Sequence, residues 1–186
     1  MFNKKGDIWV STVIYIALSI IVLTIVLVAA LPVIHKLKDR NVTIQTKNIL
    51  IQIDKNIREI VSSGPGSKRV LSPVIIDAGI LNFDIDNSVI NWTLKTTDDS
   101  AESGILRQEG NVFVIVNQRV AGGSIVEGEF EISQYLSYEE NPAIEMSLAV
   151  NSLRPPFTGR FTMTIRHTGT INTNKVLVPK LEFNLQ

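Results

Sequence analysis

The amino-acid sequence predicts an α+β protein, in which one long N-terminal helix precedes an antiparallel, all-β, sandwich-like head domain. Two observations lead to this prediction. Residues 8–34 contain no charged side chain, and beyond residue 69 apolar and polar residues repeatedly alternate with a period of two. The first pattern is typical of a membrane or bundle helix, and the second of strands with one solvated face. The predicted order is a leader over 1–6, a helix over 7–62, a turn over 63–69 and the β domain over 70–186.

The apolar run suits two environments. About 20 apolar residues span a bilayer core, and this run would reach about 40 Å at about 1.5 Å per residue. Because it is apolar on every side, it fits lipid and equally the middle of a bundle of identical helices. A cleaved secretory signal is the alternative, because Lys4 and Lys5 give a charged start and residues 28–30 are small enough for cleavage. In a bundle, five residues are expected to pack between copies: Ile14, Leu18, Ile21, Ile25 and Val28.

The polar residues and the proline of this run carry separate expectations. Ser11, Thr12, Ser19 and Thr24 are able to return their hydroxyls to backbone carbonyls one turn earlier, so they should be tolerated in lipid. Pro32 lacks an amide donor and should kink the helix or mark its end.

The residues before the apolar run resemble a known signal. The motif Lys4-Lys5-Gly6-Asp7-Ile8 is similar to the class III signal peptide of archaeal type IV pilins and archaellins. The resemblance implies that a prepilin peptidase cuts between Gly6 and Asp7, on the cytoplasmic side, while the apolar helix stays with the mature protein. It also implies as partners copies of the same chain in a helical filament, membrane lipid before assembly, and the pilus assembly machinery. Ser11 stands where the bacterial pilin pattern has a glutamate.

Membrane orientation receives conflicting indications from the sequence. Lys36, Lys38 and Arg40 outnumber the two lysines of the leader, so the positive-inside rule would leave the C-terminal domain in the cytoplasm. Two Asn-x-Thr sequons, at Asn41 and Asn91, make sense as N-glycosylation sites only if they face outward. The pilin-like start therefore decides the expectation, which is a cell-surface filament or cytoplasmic-membrane location with the head domain extracytoplasmic.

Residues 42–62 are predicted to continue the helix as an amphipathic stalk that clamps it to the β domain. The stalk should end at residues 62–67, where two glycines surround Pro65. Its apolar stripe consists of Ile49, Ile53, Ile57 and Ile60, with Ile51 and Val61 beside them.

Eight or nine strands are expected in the β domain, folded into a sandwich or open barrel. Residues 96–103, which include Asp98, Asp99 and Glu102, and residues 121–124 are predicted to be exposed loops. The alternating segments are residues 81–86, 90–95, 112–116, 144–150, 161–165 and 177–185.

The sequence offers little that indicates chemistry. Cysteine is absent and the formal net charge is zero, so thiol chemistry is excluded and no whole-chain field favours nucleic acid. We expect no catalytic residue, no cofactor and no metal. His167 is interpreted as a strand-end residue. Glu127, Glu129 and Glu131 share a strand face, and they are interpreted as a solvated edge answered by Arg160 or Arg166, with a calcium site as the alternative.

These observations favour a structural filament subunit. A single-pass, membrane-anchored minor pilin or binding protein with an extracytoplasmic β domain is the second hypothesis. A membrane-bound enzyme is the third hypothesis, and no arrangement of catalytic residues in the sequence supports it.

Overall fold

The computed structural model describes residues 4–97, 103–139, 143–173 and 176–186, without the side chains of residues 4–10, 173 and 176. This part of the chain confirms the α+β layout. The chain divides into two compact units, Met1–Asp39 and Arg40–Gln186, and we call the second the head unit. The elements are one helix, α1 (Lys4–Ser63), and eight strands: β1 (Lys68–Asp84), β2 (Val89–Thr96), β3 (Arg107–Glu109), β4 (Val112–Ala121), β5 (Ser124–Ser137), β6 (Glu145–Leu148), β7 (Phe157–Thr173) and β8 (Val176–Leu185).

Helix α1 continues past Pro32 and ends at Ser63. Pro32 therefore does not mark a helix end, because the other backbone hydrogen bonds of the helix remain although a proline removes its own bond to the carbonyl four residues earlier. The predicted stop after residue 62 is confirmed. Gly64 has a positive φ of 82°, and its amide donates to the carbonyl of Ile60 at 3.2 Å. The Ser67 hydroxyl donates to the same carbonyl at 3.0 Å, which satisfies one of the acceptors that a helix end leaves open.

The strands form one curled sheet in the order β3-β4-β5-β2-β1-β7-β8-β6. The pairs are antiparallel except for the edge pair of β6 and β8, which is parallel. Short connections join β1 to β2, β3 to β4 and β4 to β5, whereas the antiparallel pairs of β2 with β5 and of β1 with β7 are distant in sequence. Gly122 and Gly123, with φ of 59° and 84°, form the turn between β4 and β5. The loop predicted over 121–124 is shorter than expected, because Ala121 and Ser124 already pair with each other in the sheet.

The stalk part of α1 packs against this sheet within the head unit. Leu50, Ile53, Ile57 and Ile60 are all 0% exposed and belong to the same buried cluster as the sheet core. The predicted clamp is confirmed. Its centre includes Leu50, whereas Ile51 is 44% exposed, because one residue further along a helix turns about 100° away from the buried face.

Some strand limits differ from those that the sequence predicted. Strand β1 begins at Lys68 rather than 81, because two register shifts break its alternation and hide the period. Thr96, predicted to be in a loop, is the last residue of β2 and is 5% exposed, because the inward positions of that strand continue one step beyond Leu94. Thr97 and Ser103, at the two ends of the rest of the predicted loop, are exposed and outside any strand, and residues 98–102 lie outside the described residues.

One glycine allows the largest core side chain to fit. Gly79 has φ +78°, and a Cβ added there would lie 2.5 Å from both the Trp92 indole nitrogen and the Thr93 carbonyl oxygen. Trp92 is 0% exposed, and its indole N–H donates to the carbonyl of Ala78 at 3.0 Å. Glycine at 79 therefore supplies both the left-handed backbone and the space for the indole.

Candidate self-association and membrane surface

The apolar part of α1 exposes its large side chains along its length. From Val13 to Leu37, the large apolar side chains are between 51% and 68% exposed. Exposing so much contiguous apolar surface to water is unfavourable. Soluble monomers rarely expose an apolar patch larger than a few hundred Å². Lipid or the apolar surface of another protein would remove this part of α1 from water.

The apolar surface runs around the whole helix. The five residues expected to pack between copies are exposed like their neighbours: Ile14 59%, Leu18 55%, Ile21 57%, Ile25 64% and Val28 68%. Their spacing places them along one side of the helix. Exposure alone does not distinguish that side from the others.

Hydroxyl groups within this surface are satisfied by the helix backbone. Ser19 Oγ donates to the carbonyl of Tyr15 and Thr24 Oγ1 to that of Ile20, each at 2.8 Å. The predicted return of these hydroxyls to the preceding turn is therefore confirmed for both residues. Because Ser19 is short, it lies in a shallow groove of about 370 Å³ with Tyr15 and Leu23 among its lining residues. Small residues of this kind allow helices to approach closely.

By length and composition, this helix is able to cross a membrane, and among the described residues it is the one helix that meets those criteria. The same criteria are met by a signal sequence near an N-terminus. Lys4, Lys5, Gly6 and Asp7, the residues expected to take part in leader processing, lie in the first turns of α1, and their side chains lie outside the described part of the chain.

The two sequons differ in their surroundings. Asn41 is exposed on α1, within the head unit. Asn91 lies in β2, which is paired on one side with β1 and on the other with β5. Its side chain is half-buried, and its Oδ1 is buried without a hydrogen-bond partner among the described residues. Of the two, Asn41 is the more accessible acceptor.

A buried polar cluster, which sequence reasoning missed, fixes the stalk to the sheet. Asp54 is 5% exposed, and its carboxylate accepts hydrogen bonds from Tyr138 Oη at 3.0 Å, Asn111 Nδ2 at 2.6 Å and Arg58 Nε at 3.0 and 3.1 Å. We call these four residues the Asp54 cluster. Burial, with a further contribution from the Asp54 charge, raises the pKa of Tyr138 far above its ordinary value. The sequence signal was an aspartate directly beside Ile53, in the middle of an apolar stripe.

The remaining candidates for chemistry are structural in their contacts. Glu129 pairs with Arg119, not with Arg160 or Arg166 as expected, and Arg166 pairs with Glu182 at 2.6 Å. The expected partners are wrong because β5 lies between β4 and β2 in the sheet, whereas both expected arginines are on β7. In the part of the chain that the structure describes, no three His, Asp or Glu side chains are grouped to hold a metal ion.

His167 lies inside β7, which runs on to Thr173, so its interpretation as a strand-end residue is wrong. Its imidazole is 2% exposed, and neither ring nitrogen has a hydrogen-bond partner among the described residues. The strand continues because Gly169, at a register shift between β7 and β8, interrupts the alternation without ending the pairing.

Comparison with known proteins identifies no relative: no family model, no curated protein and no solved structure matches this chain.

Proposed function

We propose that this chain is a structural subunit of an archaeal, type IV pilus-like surface filament. In the proposed assembly the apolar helices of many copies pack together in the core and the β domains form the outer surface. The observation that carries the proposal is the exposed apolar surface of α1 over residues 13–37. It belongs to the charge-free run that begins at Ile8, the last residue of the motif Lys4-Lys5-Gly6-Asp7-Ile8.

One helix has to suit two environments in such an assembly. Before assembly it lies in lipid, where each central Ile, Leu or Val contributes about −0.3 to −0.6 kcal/mol to insertion and no charge opposes them. After assembly the same side chains meet the helices of other copies, where van der Waals packing replaces contacts with lipid. A surface that is apolar on all sides, with its hydroxyls bonded to its own backbone, meets both requirements.

The leader supplies the second support. Cutting after Gly6 would remove Lys4 and Lys5 and leave Asp7 at the new N-terminus. A carboxylate is favourable there because the first turn of a helix carries a partial positive charge. The prepilin peptidase is the proposed processing partner, and the head domain is proposed to be extracytoplasmic.

Mass spectrometry of native protein, paired with electron microscopy of sheared surface material, tests the proposal. We expect a mature chain that begins at Asp7 and fibres that contain it. Gly6→Val should block processing and abolish the fibres, whereas the matched leader variant Asn3→Val should be processed normally. A native protein that retains residues 1–6, or sheared material without fibres of this chain, would contradict the proposal.

The alternative is a single-pass, membrane-anchored minor pilin or binding protein, favoured by the ability of α1 to span a bilayer alone. Such a protein would fractionate with membranes and would be absent from sheared fibres. The same experiment therefore separates the two functions.

A further inference from the structure

The loop between β6 and β7, residues 149–156, presents apolar groups to solvent. Val150 is 96% exposed and Leu153 is 52% exposed, and Arg154 beside them is exposed as well. A valine so fully in water gains nothing in the isolated chain. Neighbouring apolar groups exposed together can mark a contact site, and arginine is enriched at protein interfaces.

This 149–156 loop is held in place by backbone hydrogen bonds to β8. The amide of Ala149 donates to the carbonyl of Phe183, and the amide of Leu153 to that of Leu185, each at 2.8 Å. In return, the Leu185 amide donates to Ser152 Oγ at 2.9 Å. Because the loop is fixed on both sides of Val150, binding through it would require little additional ordering.

An open cleft of about 340 Å³ lies elsewhere in the head unit. Half-buried Ile85, Ile171 and Val178 line it, and the exposed carboxylates Asp86 and Glu139 stand at its rim. We call it the acidic cleft. The apolar wall is complementary to the exposed apolar side chains of the 149–156 loop, and the acidic rim is complementary to its arginine.

The floor of the acidic cleft is also fixed before any partner binds. Ser88 Oγ donates to the carbonyl of Ile144 at 2.7 Å, and the Tyr138 amide donates to the Ser88 carbonyl at 3.0 Å. The third hydrogen bond of the floor runs from the Ile144 amide to the Tyr138 carbonyl, at 2.9 Å. A pocket that exists in the free protein is the usual condition for specific recognition.

Charge complementarity identifies the occupant. Among the described residues, Asp86 and Glu139 form no ion pair, and Arg154 forms none either. Glu145, also in the cleft, is already paired with Lys180 at 3.1 Å. The rim therefore has two carboxylates available and the loop has one guanidinium, and the loop is present on every copy of the chain.

The loop and the cleft lie at opposite ends of the paired strands β6 and β8. Glu145 at the start of β6 lines the cleft, and the loop begins at Ala149, four residues and about 13 Å further along. On β8 the separation from Val178 to Leu185 is seven residues, or about 23 Å. A contact between two different surfaces of identical copies is heterologous, and it can repeat without limit in an open helical array.

We propose that the 149–156 loop of one copy docks in the acidic cleft of a second copy, with Val150 against the apolar wall and Arg154 against Asp86 and Glu139. This inference rests on the proposed filament function, and it adds to the helix core a contact between neighbouring β domains.

Cysteine cross-linking in the native assembly tests this contact, because the chain contains no cysteine of its own. The double variant Val150→Cys/Asp86→Cys, treated with a short bis-maleimide, should give a ladder of dimers, trimers and longer species on a denaturing gel. Co-expression of Val150→Cys and Asp86→Cys as two single variants should stop at dimers, because each chain then has one half of the contact. The matched control, Val120→Cys/Asp86→Cys, uses a valine that is 62% exposed near the β4–β5 turn and should give no ladder.

Charge reversal provides a second measurement. Arg154→Glu should lower the cross-linking yield of the double-cysteine variant roughly tenfold, the equivalent of about 1.4 kcal/mol. Glu139→Arg in the same chain should restore most of it, and an absence of restoration would contradict the assignment of the rim.

The outcomes separate this inference from the proposed function. Intact fibres with both cysteines reactive towards a soluble maleimide but without a ladder would overturn the docking contact and leave the filament function standing. A ladder in membranes from cells that make no fibres would support the contact and contradict the filament. Neither fibres nor a ladder would overturn both.

Discussion

Removal of the carboxylate of Asp54 should destabilise the head unit by about 3–5 kcal/mol, because it leaves a buried hydroxyl unpaired and removes hydrogen bonds to a charged group. The prediction follows from the partners that the carboxylate satisfies. Tyr138 is 1% exposed, so Asp54→Ala leaves its hydroxyl buried without an acceptor, which costs about 1–3 kcal/mol. Asn111 is exposed and is able to bond water instead. The lost hydrogen bonds to a charged group supply the rest, at about 1.5–3 kcal/mol each before water compensates.

A double-mutant cycle measures the interaction between Asp54 and Tyr138 directly. Tyr138→Phe alone should cost about 1–2 kcal/mol, because it removes one donor to a carboxylate that keeps its other partners. The double variant Asp54→Ala/Tyr138→Phe, however, should be more stable than Asp54→Ala by about 1 kcal/mol, because no unpaired hydroxyl remains. Two mutations together should therefore be milder than the worse one alone.

Urea unfolding of the full chain in mild detergent measures the cycle. Trp92 fluorescence reports on the core if Trp9, the other tryptophan, is replaced by Phe in every variant. With a slope of about 2 kcal/mol per molar urea, Asp54→Ala should lower the midpoint by about 2 M. The exposed control Asp77→Ala should stay within about 0.5 kcal/mol of the parent. A double variant weaker than Asp54→Ala by the full cost of Tyr138→Phe would refute the cluster as the cause.

Three further results are expected. Gly79→Ala should lower the free energy of unfolding by several kcal/mol, because the new Cβ meets Trp92 at 2.5 Å in a backbone conformation with positive φ; an unchanged urea midpoint would count against this. Because Tyr138 keeps its proton in the folded state, the free energy of unfolding should fall by about 1.4 kcal/mol per pH unit above pH about 10, where unfolded tyrosine ionises. That part of the slope should disappear in Tyr138→Phe, as followed by urea unfolding between pH 9 and 12. Ile21→Lys should oppose membrane insertion by about 3 kcal/mol and reduce the carbonate-resistant membrane fraction, whereas Ile21→Leu should leave it unchanged.

The secondary structure was predicted well wherever the apolar residues of a segment follow a single helical or strand periodicity. The charge-free run and the stripe through Ile53, Ile57 and Ile60 predicted both parts of α1, because a helix repeats its environment every three to four residues. The strand from Val89 to Thr96 alternates without interruption and was predicted almost to its ends. Strand β1 was predicted only from residue 81, because the irregular pairing between Leu71 and Leu81 removes the alternation by which a strand is recognised.

The candidate site could be predicted only in part. Periodicity indicates which residues of α1 are apolar, but the even composition of residues 8–34 gives no preferred face. The Asp54 cluster joins residues up to 84 positions apart, and the loop and cleft of the proposed docking contact come together only across two copies. Contacts of that kind depend on sheet order, and no local pattern specifies it.

The Asp54 cluster also determines which turn of the helix faces which strand. The apolar stripe alone discriminates weakly, because a shift of one turn, about 5.4 Å, would exchange one aliphatic residue for another at a cost of about 1.5 kcal/mol or less. The same shift would move Asp54 away from Tyr138 and Asn111, although Arg58 of the same helix would stay beside it. The buried Tyr138 hydroxyl would then lack its acceptor, which costs about 1–3 kcal/mol. The polar cluster therefore sets the register that the aliphatic residues then fill.

Tyr138 connects this register to the acidic cleft. Its hydroxyl binds Asp54 on the helix, while its backbone amide and carbonyl bind Ser88 and Ile144 in the floor of the cleft. A shift of the stalk along the sheet would displace Tyr138, and with it the hydrogen bonds that Tyr138 makes in the floor of the cleft. Tyr138→Phe, which cuts only the link to the helix, should therefore weaken the Val150→Cys/Asp86→Cys cross-link in assembled protein without changing the charge of the rim. An undiminished ladder would mean that the floor is held by its own three hydrogen bonds alone.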